Sequence, residues 1–196
     1  MSFAIRPVDA ASRHPAAGQP HPHIEHHETL HDGTAVLIRS LHAGDRQLET
    51  DFIRHLSSHS RRLRFLCDFK QPSDALLDQL MDVDHDRRVA LIALVFIEGI
   101  PQEIGVARYG AAMDDGTCEC AIVVADAWQH RGLGTLLMRH LIEEARSHGF
   151  KRMISIDTAT HQAIRSLASS WGVQRRLDPE DPSLVIHSLD LQALPS

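Results

Sequence analysis

The 196-residue chain reads as a mixed α/β protein with one central sheet. Three observations carry that expectation. From Thr34 onward, short β-branched runs alternate with segments whose apolar residues recur at helical spacing. Three strand-like runs between residues 87 and 126 follow one another with turn signals between them. A glycine-containing loop then joins the third run to the best-marked helix of the sequence.

Taken in order, TAVLIRSL at 34–41 is short and β-branched, and predicts a strand. Asp45 stands where a helix cap is needed, before a helix to about Ser57 with Leu48, Phe52, Ile53 and Leu56 on one apolar face. SRRLRFLCDF at 60–69 is a turn or short helix, and Ser73 caps the amphipathic DALLDQLMDV. RRVALIALVFIEG at 87–99 is a buried strand, followed by QEIGVARYGAAM at 102–113. Asp114-Asp115-Gly116 is a hairpin turn that sends TCECAIVVAD, 117–126, back beside it. Residues 131–148 place Leu133, Leu136, Leu137, Leu141, Ile142 and Ala145 on one side of a helix that Gly149 ends. A strand at 151–159, a helix at 160–171 and strands near 173–177 and 184–189 complete the chain.

Composition narrows the function. With 43% hydrophobic and 23% charged residues the chain is an ordinary soluble globular sequence, long enough to bury a core. A formal net charge of −6 without a Lys/Arg block argues against nucleic-acid binding. The longest apolar run, Val89 to Ile97, is about half of what a membrane span needs, and the amino terminus lacks a signal-peptide pattern, so neither a membrane nor secretion is expected. Three cysteines, Cys67, Cys118 and Cys120, make a disulfide framework improbable and a reducing cytoplasm the default. Six of the 15 histidines lie in the first 31 residues. That segment, rich in His, Pro and Ala, reads as a flexible tail over 1–28, leaving 29–196 as the folded domain. His21, His23, His26 and His27 lack fixed ligand spacing, so no metal is implied.

The chemistry points to Gln129-His130-Arg131-Gly132-Leu133-Gly134-Thr135, between a hydrophobic strand and a strong helix. Two glycines allow backbone N–H groups to converge on an anion, and the helix start adds its positive dipole end. Neither a P-loop nor a dinucleotide fingerprint is present. Glu119 is the other candidate. Strand alternation puts it on one face with Ala121 and Val123, and Cys118, Cys120 and Ile122 on the other. A partly buried carboxylate there suits a general base; an ion pair with Arg108 across the hairpin is the competing reading.

Q-x-x-G-x-G after IVVADAW resembles the acetyl-coenzyme A pyrophosphate loop of the GNAT acyltransferase superfamily. LSSHSRRLRFLCDF, LMDVDHDRRVALIALV, GVARY and ECAIVVADAWQHRGLGTLLMRHLIEEAR resemble the acetyltransferase domain of bacterial protein lysine acetyltransferases. The resemblance implies a mixed, mostly antiparallel central sheet with helices on both faces. It implies acetyl-CoA as co-substrate, with pantetheine against the backbone of Ile122, Val123 and Val124 and pyrophosphate on the N–H groups of Gln129, His130, Arg131, Gly132, Leu133, Gly134 and Thr135. Arg131 would add a side chain for phosphate oxygens. It further implies Glu119 as the base that deprotonates an amine, a protein lysine or a small amine, for direct acetyl transfer; a non-catalytic acyl-coenzyme A sensor is the alternative reading. Acylation of Cys118 or Cys120 is the competing route. The family's late-helix Asn aligns with His161, and its Tyr acid has no counterpart; Ser169 and Ser170 are the nearest proton donors. Trp128 reads as a core anchor, and Asp78, Asp82, Asp84 and Asp86 as a solvated acidic face.

Overall fold

A computed structural model describes residues 24–194, apart from Leu66, Asp68, Asp115 and 159–171. Strands β1 (Glu25–Thr29) and β2 (Ala35–Ser40) form a hairpin. A 3₁₀ turn at Ala43–Asp45 leads into α1 (Arg46–His55), α2 (Ser58–Phe65) and α3 (Asp74–Met81). The meander β3 (Arg88–Ile97), β4 (Ile100–Ala111) and β5 (Thr117–Val124) follows. A second 3₁₀ turn, Asp126–Trp128, precedes α4 (Leu133–Ser147), and β6 (Arg152–Thr158), β7 (Gln174–Leu177) and β8 (Leu184–Asp190) end the order. The eight strands make one sheet, β1-β2-β3-β4-β5-β6-β8-β7. Among the described residues only β5 and β6 pair in parallel, as a strand–helix–strand crossover requires.

The expected mixed, mostly antiparallel sheet is present, with differences at particular elements. The tail does not run to residue 28: Glu25–Thr29 is an edge strand, paired antiparallel with Arg39 to Ala35. Alternation explains what its histidines do. His26 stacks on His140 of α4 with ring centroids 3.9 Å apart, Glu28 accepts from His140 Nε2 (2.7 Å), and His27 faces the other way into solvent. The strand is therefore tied down by polar contacts, which a search for apolar periodicity passes over. The helix predicted at 160–171 lies outside the described residues.

Two cores flank the sheet. On one face α4 buries Leu133, Leu137, Leu141 and Ala145 against Leu91, Ala107 and Ile122. On the other, α1 and α3 bury Phe52, Ile53, Leu56, Leu77 and Leu80 against Ala90, Ile92, Val106 and Val123. Ser73 caps α3 as expected, its hydroxyl accepting from Leu76 N–H. Asp45 occupies the cap position of α1 but does not cap it. Its carboxylate instead accepts the His42 N–H at 2.8 Å and takes both terminal nitrogens of Arg39, at 2.6 and 2.8 Å. No helix among the described residues is long and apolar enough to cross a membrane.

Candidate active site

The site begins where the sheet splits. Strand β5 pairs with β6 only over Thr117, Cys118 and Glu119, while β6 continues to Thr158 against β8 on its far side. Beyond Glu119 the two strands no longer pair, so β5 presents a main-chain edge to a gap. Register decides which groups face it. Val123 lies opposite Val106, and Ala125 N–H donates to the Ile104 carbonyl. By antiparallel alternation the N–H and C=O of Ile122 and Val124 turn toward the gap, and those of Val123 toward β4. The three residues named from sequence are therefore not equivalent: the Ile122 N–H and C=O and the Val124 N–H offer the free edge. Gln129 Nε2 donates to the Val124 carbonyl (3.1 Å), closing that edge just before the glycine loop.

The loop itself is bent by two left-handed residues, His130 at φ 62° and Gly132 at φ 90°. Gly132 accepts this conformation at little cost because it has no Cβ. Of the seven N–H groups expected to line an anion site, two are committed elsewhere. Thr135 donates to the Gly132 carbonyl (3.0 Å) and Gln129 to that of Asp126 (3.4 Å). The N–H groups of His130, Arg131, Gly132, Leu133 and Gly134 meet no acceptor among the described residues. They form a run of donors at the positive end of a 15-residue helix, the environment an anionic phosphate selects. The residues present thus fit a diphosphate-bearing carrier. His130 is exposed. Arg131 is already engaged: Nη1 pairs with Asp32 at 3.0 Å, and the guanidinium lies 4.8 Å from the centre of the Trp128 ring. Trp128 in turn packs against the α4-side core.

Glu119 is half-buried at the last paired residue of β5, opposite Gly110. The ion pair once open to it is otherwise occupied. Arg108 lies opposite Ala121 and gives Nη2 to Glu49 (2.8 Å) and Nη1 to the Leu80 carbonyl (2.9 Å), all buried. Arg64 of α2 is also buried near Glu49, Glu119 and Cys120; desolvation first, then the charge of Arg108, lowers its guanidinium to about 9. Glu103 of β4 completes a polar band under α1. Its two oxygens meet no donor among the described residues, and burial, reinforced by the Glu49 charge, pushes its carboxyl well above the usual range.

Sequence reading missed this band, although one signal was present. Glu49, Phe52, Ile53 and Leu56 share the i, i+3, i+4, i+7 stripe, so Glu49 falls on the buried face. Cys118 and Cys120 are packing residues. Burial pushes the Cys118 thiol up to about 12 and the Cys120 thiol well above its usual value, which leaves little thiolate at neutral pH. Asp78 and Asp82 are exposed and Asp84 is half-buried; Asp78 pairs with Arg46, and Asp82 and Asp84 with Arg88. His161, Ser169 and Ser170 lie outside the described residues.

A sheet parted at the parallel pair β5–β6 and opening onto an anion-ready helix start suits an acyl-carrier substrate. Residues 53–172 match the Acetyltransferase (GNAT) family, and the chain belongs to that family. It is 47% identical to Acetyltransferase PA5475 of Pseudomonas aeruginosa over 164 residues, 84% of this chain and 88% of that protein. The GNAT domain of S. lividans PAT superposes with a TM-score of 0.75 at 23% identity, over 85% of this chain and 96% of that domain. The yncA protein of Salmonella typhimurium, solved with its cofactor acetyl-CoA, superposes with a TM-score of 0.59 at 20% identity, over 82% and 96% of the two chains.

Proposed function

We propose that this acetyltransferase moves an acetyl group from acetyl-CoA to an amine, with a protein lysine as acceptor, by direct transfer and with Glu119 as general base. The observation that carries the reading is the position of Glu119. It is the last residue at which β5 and β6 pair, so it stands at the apex of the gap whose mouth is the glycine loop. Acetyl-CoA supplies the activated acyl group as a thioester. The chain's own residues do the rest. The N–H groups of His130–Gly134 hold phosphate oxygens, and the backbone of Ile122 and Val124 aligns the pantetheine arm along β5.

The base has a defined task. An ammonium has no lone pair, so a proton must leave the acceptor before nitrogen attacks the acyl carbon. A carboxylate at the apex is placed to take it, directly or through one water. The raised thiols of Cys118 and Cys120 support transfer without an acyl-cysteine. The protein-lysine acceptor rests on the resemblance of the α2–α4 segments to bacterial protein acetyltransferases, and a small amine is the competing acceptor.

The test is incubation with radiolabelled acetyl-CoA and either a lysine-containing protein pool or a set of small amines. Glu119→Gln keeps size and polarity but removes the base. It is expected to lower kcat/KM by about 10²–10⁴-fold and to leave acetyl-CoA affinity nearly unchanged. Unchanged turnover in Glu119→Gln refutes the base. Label appearing only in small amines refutes the protein acceptor.

A further inference from the structure

The turn between β1 and β2, His31-Asp32-Gly33, lies against the glycine loop at three points. His31 N–H donates to the Arg131 carbonyl (3.2 Å), and Asp32 Oδ2 pairs with Arg131 Nη1 at 3.0 Å. The third contact is the His31 ring. A Cβ built on Gly132 would lie 2.7 Å from His31 Nε2 and 2.9 Å from Cε1, so the imidazole edge occupies the space a side chain at Gly132 would fill. Gly132 is the N-cap of α4 and the centre of the open N–H run.

The backbone bond from His31 and the Asp32–Arg131 pair hold the turn against the loop, but neither uses the ring itself. The turn is exposed, so burial of apolar surface does not hold it. Neither imidazole nitrogen of His31 makes a hydrogen bond among the described residues. Arg131, the side chain that sequence nominates for phosphate oxygens, is meanwhile held by Asp32 and the Trp128 ring. One side chain of the pair is tied as a strut, and the other is aimed at the loop with its donor unused.

We propose that His31 is the side-chain donor of the diphosphate subsite, held over Gly132 by the Asp32–Arg131 strut. The ligand class is an organic diphosphate, here that of the acyl-coenzyme A, and the inference rests on the cofactor reading above. The Nε2–H tautomer donates to a phosphate oxygen already met by the backbone N–H groups of the loop. The edge hairpin, which lies outside the residues matched to the family, thereby becomes part of the cofactor site.

The test is titration calorimetry of the full chain with acetyl-CoA and with S-acetylpantetheine, which carries the same thioester and no phosphate. His31→Ala is expected to raise the Kd for acetyl-CoA by roughly tenfold. Its affinity for S-acetylpantetheine and its urea midpoint stay at the parent values, because the ring is exposed and only the phosphate contact is lost. His31→Gln, which keeps an N–H donor, recovers part of the loss. Parent-like acetyl-CoA affinity in His31→Ala overturns the inference. So does equal weakening toward both ligands, which would mean the turn supports the site as a whole. A parent protein that does not bind acetyl-CoA refutes the cofactor reading itself, and the His31 inference with it.

Discussion

Removing Glu49 should unfold the protein far more readily than its place on a helix next to polar residues suggests. The Glu49 and Arg108 side chains are 2% and 7% exposed, and among the described residues Arg108 donates to Glu49 Oε1 and to the Leu80 carbonyl. Glu49→Ala leaves a guanidinium in the core with one neutral acceptor. An uncompensated buried charge of this kind costs about 3–5 kcal/mol. For a chain of this size each kcal/mol lowers Tm by about 2–4 °C, so the expected fall is about 6–20 °C. Glu49→Gln keeps an acceptor and loses the charge, and should cost about 1–3 kcal/mol. The double variant Glu49→Leu/Arg108→Met removes both charges and should lie within about 2 kcal/mol of the parent. Urea unfolding followed by far-UV circular dichroism, with coincident thermal scans, measures all four proteins. The reasoning fails if Glu49→Ala loses less than about 1 kcal/mol, or if the double variant is less stable than either single one.

Glu103 predicts a pH dependence with a definite sign. Burial first, and the Glu49 charge second, raise its folded-state pKa well above the ordinary 4.5. The folded protein keeps a proton that the unfolded chain releases, so this contribution to stability is full below about pH 4.5 and declines as pH rises, at about 1.4 kcal/mol per pH unit. Glu103→Gln imitates the protonated carboxyl, and should match the parent near pH 4 and exceed it at pH 7; equal stability at both pH values would contradict this. Gly132→Ala should combine two costs. A left-handed alanine is strained by roughly 1–2 kcal/mol, and its Cβ displaces the His31 ring. A parent-like melting temperature together with parent-like acetyl-CoA affinity would show that neither constraint is real.

How much of this was legible beforehand can be followed residue by residue. The meander β3–β5 and the helix α4 are written locally, in β-branched runs, a hairpin turn and a 3.6-residue apolar stripe, and each fell within a few residues of its expected place. The glycine loop was legible for the same reason, since positive φ and a helix start are properties of neighbouring residues. Strand β1 was not, because EHHET carries no apolar alternation and is secured by His140 of α4, more than 110 positions away. Asp45 was placed correctly and misread in its contacts, because Arg39 on β2 offers its carboxylate a stronger partner than the helix N–H groups do.

By itself, then, the amino-acid sequence determined the order of the elements, the family and the glycine segment proposed here as the phosphate site. Those follow from short-range periodicity and from residues adjacent in the chain. Tertiary structure alone decided where β5 leaves β6, and so that Glu119 stands at the apex of the gap. It alone decided that Arg108 belongs to Glu49, that Arg131 is held by Asp32, and that His31 reaches Gly132. Each of these is a pairing between residues far apart in the chain. Such a pairing is set by strand register and helix docking, and these depend on how the whole core packs rather than on any one segment.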